Sequence, residues 1–273
     1  MYKLLDFGDG RKLEQFAQVT VDRPSPAADG LSCSWPKKWS EADAKFVIQQ
    51  KHQGQWTFDP ALPDPWILDL DFARLQLFTS QFGHVGLFAE QMKNWQWLSS
   101  LPLSNMKLLN LFAYTGGSTL AAAKSGASVV HVDSAKNMVQ RARHNAELSG
   151  MQDLPIRWIV EDASRFVQRE VKRGNHYDGV ILDPPTYGHG VKSNDVWKID
   201  QHLPPLIEQL KQLVPRCRLM LFSCHTETYT SRRLLELVDT MKPADCQVHS
   251  ELMTIETDDR RKLASGYCVR WFN

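Results

Sequence analysis

Asn110-Leu111-Phe112-Ala113-Tyr114-Thr115-Gly116-Gly117-Ser118 reads as an apolar strand running straight into a glycine turn and a helix of small residues. Seventeen residues after Gly116, a second apolar strand, Ala127 to Val132, ends in Asp133. Glycines at such a turn let backbone approach a ligand, and a distal acid accepts hydrogen bonds from ribose hydroxyls. The pairing describes a pocket for an adenosine-containing cofactor. A tight strand-to-helix turn without a ligand is the competing reading. Nicotinamide dinucleotides fit poorly, because their fingerprint is G-x-G-x-x-G. Gly116-Gly117-Ser118-Thr119-Leu120-Ala121 lacks the third glycine and misplaces the second.

With 273 residues the chain is long enough to bury a sizeable core. A 42% hydrophobic and 23% charged composition is that of an ordinary soluble protein. A net charge of +1 argues mildly against an extended nucleic-acid surface, while leaving room for a local basic patch. Cys33, Cys217, Cys224, Cys246 and Cys268 form no C-x-x-C pair. That pattern fits free thiols in a reducing cytoplasm, with no disulfide framework and no zinc or other metal site. The start, Met1 to Asp6, lacks the apolar core of a signal peptide, and no apolar run has the length of a membrane span.

Residues 1–86 read as a small β-rich accessory domain for substrate recognition, and 87–273 as the catalytic domain. In the first, Tyr2 to Phe7 and Leu13 to Val21 form a hairpin around Gly8-Asp9-Gly10. Prolines punctuate the next stretch, a short helix is expected from Glu41 to Gln50, and Trp66–Leu70 with Arg74–Thr79 form a further β pair. From Ala89 onward helices and strands alternate, with Ser134 as the expected N-cap of a helix over 135–149 and Gly150 as its stop. Such alternation predicts an α/β fold with a mainly parallel sheet and helices on both faces. Two final β runs, 246–256 and 263–272, close it with an antiparallel hairpin. That is the Rossmann-like layout of class I methyltransferases.

Strand ends in an open α/β sheet gather at one edge, where ligands bind. The first strand presents Ala113 to Gly117, with Ser118 beyond, and the second presents Asp133 and then Ser134. The third presents Glu161-Asp162-Ala163, where Asp162 either contacts an adenine amine or simply caps the next helix. The fourth presents Leu182-Asp183-Pro184-Pro185-Thr186-Tyr187. Consecutive prolines after an acid make a stiff floor on which a flat substrate can stack. The fifth ends in Ser223-Cys224-His225. Cys224 is either a nucleophile, which methylation at pyrimidine carbon 5 requires, or a small buried hydrophobe. His225 would help ionise it, although neighbours on a strand face opposite ways. Phe88 and Gln91 open the helix that should lie beside the cofactor.

Taken in order, NLFAYTGGSTLAAAKSGA (110–127), HVDSAKN (131–137), RHNAELSG (143–150), VEDASRFV (160–167), LDPPTYG (182–188) and LFSCHT (221–226) carry a family resemblance. The chain resembles S-adenosylmethionine-dependent methyltransferases related to the large-subunit ribosomal RNA (cytosine-C5) enzymes. LLDFGDGRKLEQF (4–16) is similar to the start of a compact subgroup without the RNA-binding PUA domain. The resemblance implies S-adenosylmethionine held by Tyr114, Gly116, Asp133 and Asp162. It further implies a methyl-transfer site lined by Asp183, Pro184 and Pro185, with Cys224 as nucleophile. This chain departs at Met92, where the family has arginine, at Thr186-Tyr187, and at His225, where the family has serine.

The expectation is therefore a cytoplasmic methyltransferase acting on RNA, ribosomal in the first instance, at pyrimidine carbon 5. Cys224 and Asp183 are the catalytic candidates, with Pro184, Pro185 and Tyr187 against the substrate. The rivals are an exocyclic-nitrogen or small-molecule methyltransferase using Asp183 and Tyr187, and a non-catalytic binder of the cofactor.

Overall fold

A computed structural model describes residues 1–50, 53–189 and 196–273. Within them the chain forms two compact units. One is Met1–Glu90 with Thr254–Ser265; the other is Gln91–Met253 with Gly266–Asn273.

The first unit is built on a five-stranded sheet of order β1-β2-β3-β4-β5. Its strands are β1 (Tyr2–Gly8), β2 (Arg11–Phe16), β3 (Val19–Pro24), β4 (Ala44–Gln50) and β5 (Gln53–Phe58), and helix α1 spans Pro36–Ser40. β6 (Ile67–Asp69) and β7 (Arg74–Gln76) form the expected separate pair. Two expectations fail here. The run Leu13–Val21 breaks at Ala17, whose φ of 58° turns the chain, so it supplies two strands instead of one. The helix expected over Glu41–Gln50 is strand β4, because Phe46-Val47-Ile48 pairs antiparallel with β5 and cross-strand pairing overrides the helical preference of the flanking Glu and Ala.

A buried ionic group underlies this sheet. Glu14, fully buried on β2, receives Arg23 Nε at 2.6 Å, Tyr2 Oη at 2.9 Å and the Lys12 ammonium at 3.3 Å. Burial alone would push the Glu14 carboxyl up; Arg23 and Lys12 outweigh it and hold it below its ordinary value. A second buried carboxylate, Asp6, accepts from the Ser34 and Trp35 amides, the Trp39 indole and the Arg261 guanidinium. Leu4 also bridges Thr257 in parallel. These contacts join the tip of the terminal hairpin to the N-terminal unit, whereas sequence order alone assigned that tip to the C-terminal part.

The second unit starts with α2 (Met92–Ser100) and then alternates: β8 (Lys107–Leu111), α3 (Gly117–Lys124), β9 (Ser128–Asp133), α4 (Lys136–Leu148), β10 (Ile156–Val160) and α5 (Ala163–Lys172). It continues through β11 (Gly179–Leu182), a small pair β12 (Tyr187–His189) and β13 (Val196–Lys198), α6 (Ile199–Leu213), β14 (Leu219–Cys224) and α7 (Ser231–Val238). The chain ends in β15 (His249–Glu256) and β16 (Lys262–Phe272). The seven-stranded sheet runs β10-β9-β8-β11-β14-β16-β15. β8 to β11 and β14 are parallel, and β16 runs antiparallel to β14. The expected class I methyltransferase architecture is the observed one. Residues such as Leu108, Leu109, Val180, Ile181, Met220 and Phe222 are buried on both sheet faces, as strands covered by helices on each side require. Strand order reverses between β8 and β11, so a crevice opens beyond their C-terminal ends.

Candidate functional site

The turn after β8 is bent sharply. Phe112 and Tyr114 adopt φ values of 56° and 49°, in a region that bulky residues seldom occupy, and Gly116 follows at 90°. Asp133, at the end of β9, ties this turn down. Its Oδ2 accepts the Tyr114 amide at 2.9 Å and its Oδ1 the Ala135 amide at 2.8 Å. Burial raises the Asp133 carboxyl, and the two amides oppose that rise. Ser134 is not the cap of α4: that position is Ala135, with no side-chain cap, and the Asp133 carboxylate receives the amide there.

The two glycines face protein at close range. A Cβ on Gly117 would lie 2.4 Å from the Trp95 ring, and one on Gly116 would lie 3.0 Å from Ala142 Cβ. Trp95 Nε1 also donates to Ser118 Oγ at 3.0 Å, and the Thr115 carbonyl accepts from Asn145 Nδ2 at 3.0 Å. Gly117, Thr115 and Ser118 therefore anchor α3 to its surroundings. Gly117→Ala should destabilise the fold by about 1–3 kcal/mol through overpacking against Trp95, as urea unfolding would show. A loss no larger than that of an exposed substitution would contradict this account. Deeper in, Asn110 Nδ2 donates to Thr119 Oγ1 at 2.8 Å, which in turn meets His131 Nδ1 at 2.9 Å. Burial pushes His131 down to about 3, so this histidine is a neutral core residue.

Beyond the strand ends lies a pocket lined by Phe112, Asp133, Glu161, Asp162, Pro185 and Trp197, with Ser134 and Ala163 at its wall. Asp162 does cap α5, its Oδ1 accepting the Arg165 amide at 3.0 Å, while still bordering the pocket. Carboxylates at two strand ends, beside the rings of Phe112 and Trp197, form an acceptor set and an apolar surface suited to a ribose and a flat base. Phe112 and Trp197 pack edge to face at 4.8 Å, and Trp197 Nε1 donates to the Pro185 carbonyl at 2.7 Å. Neither aromatic residue stands out in the sequence, because each looks like ordinary core.

Asp183 stands where β11 ends, with a quarter of its side chain exposed. Gln91 Nε2 donates to its Oδ2 at 2.9 Å, and Ser223 Oγ donates to its Oδ1 at 2.9 Å. Gln91 Nε2 lies equally close to Ser223 Oγ, and Asn94 Nδ2 donates to Gln91 Oε1 at 2.8 Å. Asn94 Oδ1 accepts from Arg270 Nη1 at 2.8 Å, and Arg270 pairs with Glu251. The carboxylate is thus held at both oxygens by a buried network. The Gln91 amide, only 5% exposed, faces Asp183 and not the pocket. Pro184 is buried, Pro185 is exposed, and Tyr187 on β12 is 54% exposed. Phe88 lies in the N-terminal unit, its ring edge-on to His84 at 5.5 Å.

Cys224 is separated from this group. It is fully buried and packs in the apolar cluster that holds Tyr229, Leu234 and Leu203. Ser223 and Cys224 alternate on β14, so the residue facing Asp183 is the serine. Burial raises the Cys224 thiol above its ordinary value, against hydrogen bonds from Thr226. The register aligns Leu182 with Phe222, which sets Asp183 level with Ser223. Sequence supplies neither that register nor which of the two residues looks toward the acid. No group of His, Cys, Asp or Glu among the described residues has the arrangement of a metal site. No helix among them is long and apolar enough to cross a membrane.

Residues 46–236 match the family described as S-adenosylmethionine-dependent methyltransferase. The chain is similar to the SAM-dependent methyltransferase of Agrobacterium tumefaciens, at 34% identity and a TM-score of 0.89 over 99% of this chain and 90% of that one. It is 30% identical over 243 residues to ribosomal RNA large subunit methyltransferase K/L of Methylococcus capsulatus, covering 86% of this chain. It is 36% identical over 107 residues to ribosomal RNA large subunit methyltransferase I of Aeromonas salmonicida, covering 38% of this chain. The matched parts make up only 30% and 27% of those two relatives.

Proposed function

Because the chain belongs to the S-adenosylmethionine-dependent methyltransferases, we propose that it methylates RNA at a nucleobase amino nitrogen, in the cytoplasm. The RNA part rests on the similarity to ribosomal RNA methyltransferases. Five free cysteines support a reducing compartment. The target atom rests on one observation: Asp183 is accessible and held at both oxygens, whereas the thiol that carbon-5 chemistry needs is buried and kept protonated.

Bound S-adenosylmethionine supplies an electrophilic methyl group. Asp133 and Asp162 are the residues to receive its ribose and amine donors, with Tyr114 and Gly116 shaping the turn and Ala113, Ser134 and Ala163 beside them. Phe112 and Trp197 would flank its base. Asp183 accepts a hydrogen bond from the acceptor amine, which turns the nitrogen lone pair toward the methyl group and favours the developing positive charge. Pro185 and Tyr187 present exposed surface on which a base can stack. Gln91 and Ser223 act through Asp183, as positioning residues.

The test is incubation with labelled S-adenosylmethionine and undermodified large-subunit RNA, followed by nucleoside analysis. The expected product is an N-methylated nucleoside; absence of label from RNA would sink the proposal. Cys224→Ala should keep methyl transfer and cost stability of about 1 kcal/mol, as a small buried truncation does. Loss of turnover with cofactor binding intact would instead favour methylation at pyrimidine carbon 5, the reading that the Ser223-Cys224 motif supports.

A further inference from the structure

His225 lies next to Cys224 in sequence, but its partner in space is Asp183. Its Nε2 is 3.6 Å from Asp183 Oδ1, the same oxygen that takes the Ser223 hydroxyl. Both side chains reach solvent at the C-terminal edge of the sheet, the histidine with about a third of its surface exposed. The backbone at His225 is held from two sides. Thr226, the next residue, shares a 2.7 Å hydrogen bond between hydroxyls with Thr186, which ties this loop to the one following Asp183-Pro184-Pro185. On the other side β16 passes so close that a Cβ on Gly266 would lie 2.4 Å from the Cys224 carbonyl and 3.0 Å from His225 Cα. A loop clamped between two neighbours holds its side chain where a freely moving loop would not.

From this geometry we propose that His225 is the proton acceptor of the methyl-transfer reaction, with Asp183 orienting it. The inference rests on the nitrogen-methylation reading above. Asp183 lies 3.6 Å from Nε2, too far for a hydrogen bond but near enough for its charge to favour a proton on that side of the ring, which makes Nδ1 the basic nitrogen. As the acceptor amine's lone pair forms the new bond to the methyl carbon, the carbon–sulfur bond breaks and its electron pair stays on sulfur. The surplus N–H proton then passes to His225 Nδ1, and the imidazolium so formed is stabilised by the Asp183 carboxylate. Neutral imidazole is restored by loss of that proton to solvent, to which the ring is open. Ser223 and Gln91 keep Asp183 turned toward both partners. A cysteine-based reaction has no such use for His225, since Cys224 points into the apolar core.

Single-turnover methyl transfer to RNA, measured for wild type, His225→Ala and His225→Gln, tests the assignment. Both variants should transfer about 10²-fold more slowly, a typical contribution of a positioned base, with S-adenosylmethionine and RNA binding unchanged. Added imidazole should restore much of the rate to His225→Ala. A second readout needs no turnover: ¹⁵N NMR of the cofactor-free enzyme should show His225 as the Nε2-protonated tautomer, shifted by Asp183→Asn. Full activity of either variant, a deficit that imidazole leaves unchanged, or an Nδ1-protonated ring would overturn the proposal. Wild type that labels no RNA defeats the RNA reading and this inference together, whereas active wild type with active variants defeats this inference alone.

Discussion

Asp183→Asn should lower kcat for methyl transfer by about 10²–10⁴-fold, the range for loss of a positioned acid–base or charge-stabilising group. The fold should tolerate the change. An asparagine oxygen can still accept from Gln91, and its amide can donate to the Ser223 hydroxyl, so each contact survives with only the serine proton turned away from the acid's place. What disappears is the negative charge that orients the acceptor and favours charge developing on it. The loss should therefore appear in kcat, while equilibrium binding of S-adenosylmethionine changes little, because Asp133 and Asp162 lie on other strand ends. Gln91→Ala should lower kcat in the same direction but less, since Ser223 still holds one oxygen. An Asp183→Asn enzyme with unaltered kcat, or one that merely fails to bind cofactor, would remove the acid from the centre of the mechanism.

Arg23→Met should destabilise the N-terminal unit by about 3–5 kcal/mol, the usual cost of leaving one member of a buried ion pair alone. Glu14 is fully buried and would retain only Lys12 and Tyr2, which places the loss toward the lower end. The effect should depend on pH in a defined sense. Glu14 has a folded value below its unfolded value of about 4.3, so its pairing stabilises above that value and fades as pH falls through the folded one. Urea unfolding of wild type and variant should therefore differ most at neutral pH and converge under acid. A triple change, Lys12→Met and Glu14→Leu with Arg23→Met, should recover most of the loss, because no buried charge of the group is then left alone. An equal deficit at both pH values would show that the arginine acts through packing over Phe16 and not through its charge.

Much of the catalytic unit is legible in the sequence because its central strands are buried on both faces. Runs such as Leu219–Cys224 and Gly179–Leu182 read as central strands, and the chain leaves each at a residue with recognisable chemistry, Cys224 and Asp183. The N-terminal unit is less legible. Phe46-Val47-Ile48 becomes a strand through pairing with β5, and a turn at Ala17 depends on a left-handed residue that no glycine announces. At the site, the glycines advertise a ligand yet are needed by Trp95 and Ala142. Gln91 reads only as a cofactor contact and Ser223 only as a neighbour of Cys224, because their hold on Asp183 lies in register and in hydrogen bonds between distant segments. Cys224 attracts notice for its chemical type, while strand alternation turns it inward.

The hairpin tip that completes the N-terminal unit is made only after the whole run Gln91–Met253. Asp6 is buried and charged from the beginning of the chain, yet its arginine partner is residue 261. On the ribosome the first ninety residues must therefore wait, incompletely closed, until nearly the whole catalytic unit has emerged. An expression fragment ending soon after Glu90 would carry an unmatched buried carboxylate, and a fragment starting at Gln91 would carry a hairpin tip without its seat.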